Sequence, residues 1–103
     1  MIRPLVIAVD YDGTITADPE MFHAFMIMMQ ERGHTVLIAT MRYEGEPLHI
    51  AHVPEGVRIY YTGRRAKREA LQELYGIVPD IWIDDRPFWV ENHAGDYIPL
   101  KQE

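Results

Sequence analysis

Four short runs of apolar residues, rich in β-branched and aromatic types, divide the chain. Each run is bounded by glycine, proline or polar residues, a pattern typical of buried strands in a parallel sheet. The pattern predicts strands over residues 5–10, 35–40, 57–61 and 81–85. The first strand should stop near Asp10, because aspartate is a poor strand residue, and Gly13 then allows the backbone to turn.

Two stretches between the strands have helical periodicity. The first helix should begin after Asp18, an N-cap residue, with Pro19 in the first helical position, and should end at Gly33. The second should cover residues 64–75 and end at Gly76. The apolar residues of the first helix are expected to pack in the core, and those of the second to form one face: Met21, Phe22, Phe25, Met26, Met28 and Met29 in the first, and Ala66, Ala70, Leu71 and Leu74 in the second.

The connections complete an α/β pattern. Residues 14–17 and 41–56 are predicted loops, the second with one irregular turn. Residues 88–103 should hold a short helical turn and an edge strand around Tyr97 and Ile98. Buried strands that alternate with helices predict a single α/β domain with a parallel sheet over residues 1–103. The crossover between the second and third strands is the exception, because it has weak helical character.

Composition narrows the chemistry. The 103 residues are 48% hydrophobic and 25% charged, as in an ordinary soluble domain. Cysteine and serine are both absent, which excludes thiolate–metal chemistry and serine nucleophiles. No apolar run reaches the ~20 residues of a membrane span, and no signal-peptide pattern is found, so we expect a soluble cytoplasmic protein. The net charge of −6 disfavours a broad nucleic-acid surface, so nucleic acid is expected only as a substrate.

Three predicted strands end in polar residues: Asp10 with Asp12, then Thr40, then Asp84 with Asp85. The carboxyl ends of parallel strands meet at one edge of a sheet, where open α/β sheets bind ligands. The second helix follows the third strand and begins at the same edge. Its first turn should bring Lys67 into the same crevice.

Several carboxylates in one crevice repel each other, and a divalent cation relieves that repulsion. Magnesium prefers carboxylate and water oxygens and leaves positions for a phosphate oxygen. A carboxylate can then attack phosphorus while lysine neutralises charge, and a second carboxylate can move the proton. Taken singly, each of these residues is more often a turn, cap or surface residue. Their order and spacing favour the functional interpretation.

The motifs resemble those of the haloacid dehalogenase superfamily of phosphohydrolases. An apolar strand that runs into Asp-x-Asp-Gly-Thr is the first motif of that family, and residues 10–14 match it. Thr40 matches the second motif, a hydroxyl residue that closes an apolar strand. Lys67 matches the third motif, and Asp84 with Asp85 match the fourth, an acidic pair that closes another strand.

The resemblance implies a role for each catalytic residue. Asp10 would be the nucleophile that forms an aspartyl-phosphate, and Asp12 the general acid and base. Thr40 would hydrogen-bond the transferring phosphoryl group, while Lys67 would stabilise the charge on that group and on Asp10. A carboxylate at the position of Asp12 is typical of the family's phosphatases.

The resemblance also implies a magnesium site and a fold. Asp10, the backbone carbonyl of Asp12 and Asp84 would ligate Mg²⁺, and Asp85 would act through a bound water or by orienting Lys67. The fold would be a three-layer Rossmann-like parallel sheet with helices on both faces.

The intervals between the motifs are too short for the cap domain that usually covers the family's site. An open site favours a large phosphorylated substrate, or a neighbouring copy of the chain that shields the site in a homo-oligomer. The loop over residues 41–56 is the in-chain candidate for substrate contacts, and its His49 and His52 have the spacing of a metal pair but are better explained as loop residues. Phosphate or substrate contacts are expected from Gly13, Thr14, Thr40, Met41, Arg42, Arg64 and Lys67.

A basic cluster at the start of the second helix has two interpretations. Two of its cations could face the crevice and suit a substrate with more than one phosphate, such as a nucleotide. Alternatively, the cluster is a solvated helix face that balances Glu69 and Glu73. The cluster consists of Arg64, Arg65, Lys67 and Arg68.

The leading hypothesis is a magnesium-dependent phosphatase that hydrolyses a phosphate monoester. Its substrate would be a nucleotide, a nucleic-acid end, or another phosphorylated small molecule or macromolecule. Two alternatives stay open. One is a binding or regulatory module of the same fold with weak or no turnover, and the other is a phosphotransferase, in which an acceptor other than water attacks the intermediate.

Overall fold

The computed structural model describes residues 2–96. These residues form four strands, three α-helices and three single turns of 3₁₀ helix. In chain order the main elements are β1 (Val6–Val9), α1 (Pro19–Glu31), β2 (Thr35–Thr40), β3 (Arg58–Tyr61), α2 (Lys67–Tyr75), β4 (Ile81–Ile83) and α3 (Phe88–Glu91). The predicted edge strand at Tyr97 and Ile98 lies outside the described residues.

The four strands form one sheet in the order β3-β2-β1-β4, and every neighbouring pair is parallel. Ile7 of β1 pairs with Val36 of β2 on one side and with Ile81 of β4 on the other. The chain therefore builds the sheet outward from β1 to β3 and then returns to the opposite side of β1. The α/β class and the parallel sheet are confirmed, and the strand order reverses at β1, the usual position of a ligand site in such sheets.

Successive residues of the central strands belong to two different core clusters, as the two-residue period of a strand requires. Ile7, Val9 and Ile38 pack in one cluster with Met26 of α1. Ala8, Leu37 and Ala39 pack in the other with Leu71 of α2. The central strands are therefore buried through both sets of side chains, which explains why they are continuous apolar runs.

Helix α1 begins as predicted, because the Asp18 side chain accepts a hydrogen bond from the Met21 amide and Pro19 is the first helical residue. Met26 is fully buried, with Phe22, Phe25 and Met29 packed against the same cluster. Met21 and Met28 are exposed, so their predicted core packing was wrong. The buried stripe has the spacing i, i+3, i+4, i+7, and these two methionines lie outside it.

Helix α2 begins at Lys67, three residues later than predicted. Arg64 has a positive φ of 69°, and Ala66 is extended, with ψ 127°, so neither can belong to a helix. The helix ends at Gly76, in the left-handed conformation, as predicted. Leu74 is exposed, contrary to its predicted place with the buried Ala70 and Leu71.

The connecting segments differ little from their predictions. Residues 14–17 are not a plain loop, because Ile15–Ala17 forms a 3₁₀ turn whose first residue is fully buried. The 41–56 loop contains the predicted irregular turn at Ile50–His52. No helix within residues 2–96 is long and apolar enough to cross a membrane.

Candidate active site

A crevice of about 440 Å³ lies at the carboxyl edge of the sheet. Most of the predicted site residues line it, together with three residues from the segment after β4 that the sequence did not indicate. Thr14 and Arg42 are not among the lining residues, but both contact its carboxylates. The lining consists of Asp10, Asp12, Gly13, Thr40, Met41, Arg64, Lys67, Asp84 and Asp85 from the predicted set, and of Arg86, Trp89 and Ala94 in addition.

Lys67 joins two strands of the sheet through its ammonium group. Its Nζ lies 2.6 Å from Asp10 Oδ1 and 2.6 Å from Asp84 Oδ2. Lys67 is only 2% exposed, and a buried ammonium requires such partners, since losing its water is costly. Lys67 is the first residue of α2, so the start of that helix positions its side chain in the crevice.

Thr14 connects the loop after β1 with the loop after β4. Its hydroxyl lies 3.0 Å from Asp10 Oδ2 and 3.2 Å from Asp85 Oδ1, and it accepts a hydrogen bond from the Asp85 amide at 3.1 Å. Because a hydroxyl has one hydrogen, it donates to one carboxylate at a time. Thr14 was predicted as a phosphate contact, and here its buried hydroxyl positions the two carboxylates.

Three carboxylates form an acidic triad: Asp10, Asp84 and Asp85. One oxygen from each lies within 4.8 Å of the other two, an arrangement that could hold a metal ion. All donors are carboxylate oxygens, which suits a hard divalent cation. The side chain of Asp12 is not part of the triad.

Gly13 is required for the triad to close. Its φ is +87°, and a Cβ at this position would overlap Asp85 Oδ2. Only glycine combines a positive φ with no side chain. The glycine of the first motif therefore allows Asp85 to approach the loop after β1.

The proton affinity of Asp10 is set mainly by burial. Loss of water raises the pKa of Asp10 from 3.8 to about 7, although the charge and hydrogen bond of Lys67 act in the opposite direction. A side-chain hydrogen bond with Asp85 and the negative charge of Asp84 add to the increase. A cation in the triad would oppose this increase and favour the ionised form.

Asp12 has a different environment, although it is only two residues away. Its exposed carboxylate accepts two hydrogen bonds from Arg42, at 2.7 Å from Nη2 and 2.9 Å from Nε. The hydrogen bonds and charge of Arg42 lower the pKa of Asp12. The same hydrogen bonds and the negative charge of Asp12 raise the pKa of Arg42. The two carboxylates of the first motif therefore have pKa values shifted in opposite directions.

Arg42 also holds the 41–56 loop against the site. Its Nη1 donates to the Pro47 carbonyl at 3.1 Å, and its guanidinium lies 5.2 Å from the centre of the Tyr11 ring. The Arg42 side chain therefore makes both the bidentate pair with Asp12 and the contacts to the loop. Arg42 was predicted as a substrate contact, and the structure pairs it with the predicted general acid.

Thr40 and Met41 form the wall of the crevice beside β2. Thr40 is buried, and its hydroxyl accepts a hydrogen bond from the Arg42 amide at 3.2 Å. The Met41 carbonyl accepts two hydrogen bonds from Arg64, from the amide at 2.8 Å and from Nη1 at 2.7 Å. Arg64 also pairs with Glu46 at 3.1 Å.

The rest of the basic cluster fits the balanced-surface interpretation. Arg65 pairs with Glu73 and Glu69, and Arg68 pairs with Glu91. Of the four cations in the cluster, Lys67 and Arg64 line the crevice.

The two histidines of the 41–56 loop have structural contacts. Their rings stack at 4.7 Å. His52 Nδ1 lies 2.9 Å from the Tyr11 hydroxyl, and His49 Nδ1 accepts a hydrogen bond from the Ala51 amide. These contacts fix the loop to Tyr11, so the loop interpretation accounts for the pair.

The segment after β4 closes the far side of the crevice and supports the start of α2. His93 Nδ1 accepts a hydrogen bond from the Ala66 amide at 2.8 Å, and the Ala94 amide donates to the Arg64 carbonyl at 2.8 Å. The only signal for this segment in the sequence was a predicted helical turn, which does not reveal contacts with α2.

Comparison of the chain with protein-family models, with curated proteins and with solved structures found no match. The likeness to the haloacid dehalogenase superfamily therefore depends on the four motifs and on the crevice described above.

Proposed function

We propose that this chain is a magnesium-dependent phosphatase of the haloacid dehalogenase type, which hydrolyses a phosphate monoester through an aspartyl-phosphate on Asp10. One observation carries the proposal. A buried lysine lies 2.6 Å from each of two carboxylates of the acidic triad, Asp10 and Asp84, which follow neighbouring strands at the point where the strand order reverses. A structural turn or a solvated surface requires no such arrangement.

The packing supports a three-layer Rossmann-like arrangement. Alternate residues of β1 and β2 contact Met26 of α1 in one core cluster and Leu71 of α2 in the other. The intervals between the motifs hold α1, β2, β3 and the 41–56 loop, which leaves no segment for a cap domain. We therefore propose a capless site that is open to a large substrate or to a second copy of the chain.

The residues present fit a magnesium ion. Asp10, Asp84 and Asp85 would hold it with carboxylate oxygens, and the family resemblance adds the backbone carbonyl of Asp12. When bound, Mg²⁺ would supply positive charge that offsets the phosphate oxygens and the mutual repulsion of the triad.

In the first half of the reaction, an ionised Asp10 oxygen forms a bond to phosphorus. The bond from phosphorus to the leaving oxygen breaks, and its electron pair goes to that oxygen. Asp12 donates a proton to the leaving oxygen, and the product alcohol departs. Lys67 stabilises the ionised form of Asp10 before the attack, and Thr40 donates its hydroxyl hydrogen to a phosphoryl oxygen.

In the second half, water attacks the phosphorus of the aspartyl-phosphate. Asp12 takes a proton from this water, the bond between phosphorus and Asp10 breaks, and phosphate leaves. The net reaction consumes one monoester and one water and returns both carboxylates to their starting states. In the metal-free protein the raised pKa of Asp10 and the lowered pKa of Asp12 oppose these roles, because a nucleophile must be ionised and a general acid must hold a proton. Mg²⁺ in the triad would favour the ionised form of Asp10, and release of Asp12 from Arg42 would let Asp12 hold a proton.

The direct test is hydrolysis of a simple aryl phosphate by the intact chain with Mg²⁺. Asp10→Asn should abolish phosphate release, whereas Glu31→Gln, an equivalent carboxylate-to-amide change on the exposed side of α1, should leave it unchanged. No release above that of Asp10→Asn would refute the phosphatase. Adding an alcohol acceptor separates hydrolysis from phosphotransfer, since a transferase would yield the new phosphate ester as its main product.

A further inference from the structure

A second groove, of about 400 Å³, runs along the outer edge of β3. Four tyrosines line it, and β3 is the end strand of the sheet that residues 2–96 form. Tyr43 is 53% exposed and Tyr75 is 48% exposed, while Tyr60 packs edge-to-face against Tyr75 at 4.8 Å. The tyrosine groove is defined here by Tyr43, Tyr60, Tyr61 and Tyr75, with Arg58 and Gly63 at its ends.

The tyrosine groove and the crevice share a wall. Arg64 lines the crevice, and its guanidinium lies 5.0 Å from the centre of the Tyr43 ring. Gly63 touches the same ring, because a Cβ there would lie 2.9 Å from a Tyr43 ring carbon. A ligand whose phosphate occupies the crevice can therefore extend past Arg64 onto Tyr43.

The backbone at this wall is held in an unfavourable conformation. Arg64 has a positive φ of 69°, which is uncommon for a residue with a side chain. Its amide and Nη1 both donate to the Met41 carbonyl, at 2.8 and 2.7 Å, and these bonds maintain the conformation. The turn places a cation and the exposed Tyr43 side by side at the mouth of the crevice.

The size and chemistry of the tyrosine groove indicate what it can bind. From Arg58 to Tyr61, the length of β3, the strand direction spans roughly 10 Å, at about 3.3 Å per residue, which is longer than one nucleobase. Exposed tyrosines stack on any base, and arginines contact the phosphates between bases. The net charge of −6 and Glu44 in the groove wall disfavour binding along an extended duplex.

Building on the proposed phosphatase activity, we propose that the tyrosine groove binds the nucleoside part of the substrate. The terminal phosphate of that substrate would lie in the crevice beside Asp10. Such a substrate is a nucleotide or the phosphorylated end of a single nucleic-acid strand. Both present a base next to the phosphate, and Tyr43 is the first ring that this base would meet.

Binding to the intact Asp10→Asn chain with Mg²⁺ tests this without turnover. The probes are thymidine monophosphate, a phosphorylated oligothymidylate and ribose 5-phosphate, which lacks a base. Tyr43→Ala and Tyr75→Ala should each weaken binding of the oligothymidylate by roughly 5- to 150-fold, as expected for the loss of one stacking ring. Tyr43→Phe and Tyr75→Phe should restore it, and ribose 5-phosphate should bind all variants equally.

The control is Met28→Ala, which truncates a similarly exposed apolar side chain on α1 and should change nothing. If Tyr43→Ala, but not Tyr75→Ala, also weakens the binding of thymidine monophosphate, the groove binds nucleotides. If both alanine variants weaken the binding of the oligothymidylate only, the substrate is a strand end. The proposal would be overturned if the alanine variants bind every base-containing probe as tightly as the Asp10→Asn chain that keeps both tyrosines.

The same experiments distinguish failure of the tyrosine groove from failure of the proposed phosphatase activity. Aryl phosphate hydrolysis combined with unchanged binding in the alanine variants would refute the tyrosine groove and leave the phosphatase standing. Tyrosine-dependent binding without hydrolysis of any phosphate would support the groove as a nucleoside site and contradict the phosphatase.

Discussion

Burial of Asp10 should make the stability of the metal-free protein depend strongly on pH. The folded state holds the Asp10 proton up to a pKa of about 7, compared with 3.8 for a free aspartate. Between these values the folded chain binds more protons than the unfolded chain, so the free energy of unfolding falls as the pH rises from about 4 to about 7. At roughly 1.4 kcal/mol per pKa unit, the full loss is roughly 4 kcal/mol. That is a large fraction of the stability of an ordinary domain, roughly 5–15 kcal/mol.

The assay is urea unfolding of the wild-type chain and of Asp10→Asn, with a chelator present, at about pH 5 and about pH 8. Asparagine cannot ionise, so the stability of Asp10→Asn lacks the contribution of the Asp10 proton, and contributions common to both chains cancel in the comparison. The stability of Asp10→Asn relative to wild type should therefore increase by roughly 3 kcal/mol between the two pH values. Glu31→Gln should show no such change.

Two results would refute this reasoning. If the stability difference between wild type and Asp10→Asn is the same at about pH 5 and about pH 8, the pKa of Asp10 is not raised and burial does not govern it. If wild type instead loses stability relative to Asp10→Asn as the pH falls from about 4 to about 2, Lys67 outweighs burial and the pKa of Asp10 is lowered.

Three further substitutions test the remaining contacts of the site. Lys67→Met should lower the free energy of unfolding at neutral pH by roughly 3–5 kcal/mol, because it leaves buried carboxylates without their cation, and urea unfolding measures this. Gly13→Ala should weaken Mg²⁺ affinity, measured by calorimetry, because a Cβ would contact the acidic triad, whereas Gly33→Ala, with a φ of +90° but open space around it, should cost stability without changing that affinity. Arg42→Ala should raise the pKa of Asp12 toward its ordinary value and shift the alkaline limb of the pH–rate profile to higher pH. An unchanged profile would contradict the pairing of Arg42 with Asp12.

The strands and the first and fourth motifs could be predicted because their signals are local. Each apolar run ends within one or two residues of a carboxylate or a hydroxyl, so the strand ends and the candidate chemistry appear in the same few residues. Parallel pairing then brings Asp10 and Asp84 to the same edge, next to Lys67. Asp18 and Gly76 gave equally local signals for helix ends.

The features that could not be predicted depend on contacts between distant parts of the chain. Helix α2 starts at Lys67 because Arg64 and Ala66 are held by the segment after β4, through Ala94 and through His93, which is 27 residues from Ala66. The pair between Arg42 and Asp12 spans 30 residues and has no spacing rule. The exposure of Met21 and Met28 follows from which face of α1 meets the sheet, and composition does not reveal it.

The central claim is that Asp10 carries the phosphoryl group during turnover. An acid quench of the intact chain during hydrolysis of an aryl phosphate that contains radioactive phosphorus tests it most directly, because an aspartyl-phosphate survives acid and is released by hydroxylamine. We predict protein-bound label that hydroxylamine removes, that maps to the peptide containing Asp10 and that is absent in Asp10→Asn. Hydrolysis without label above the Asp10→Asn background, or label on another residue, would contradict the proposed mechanism.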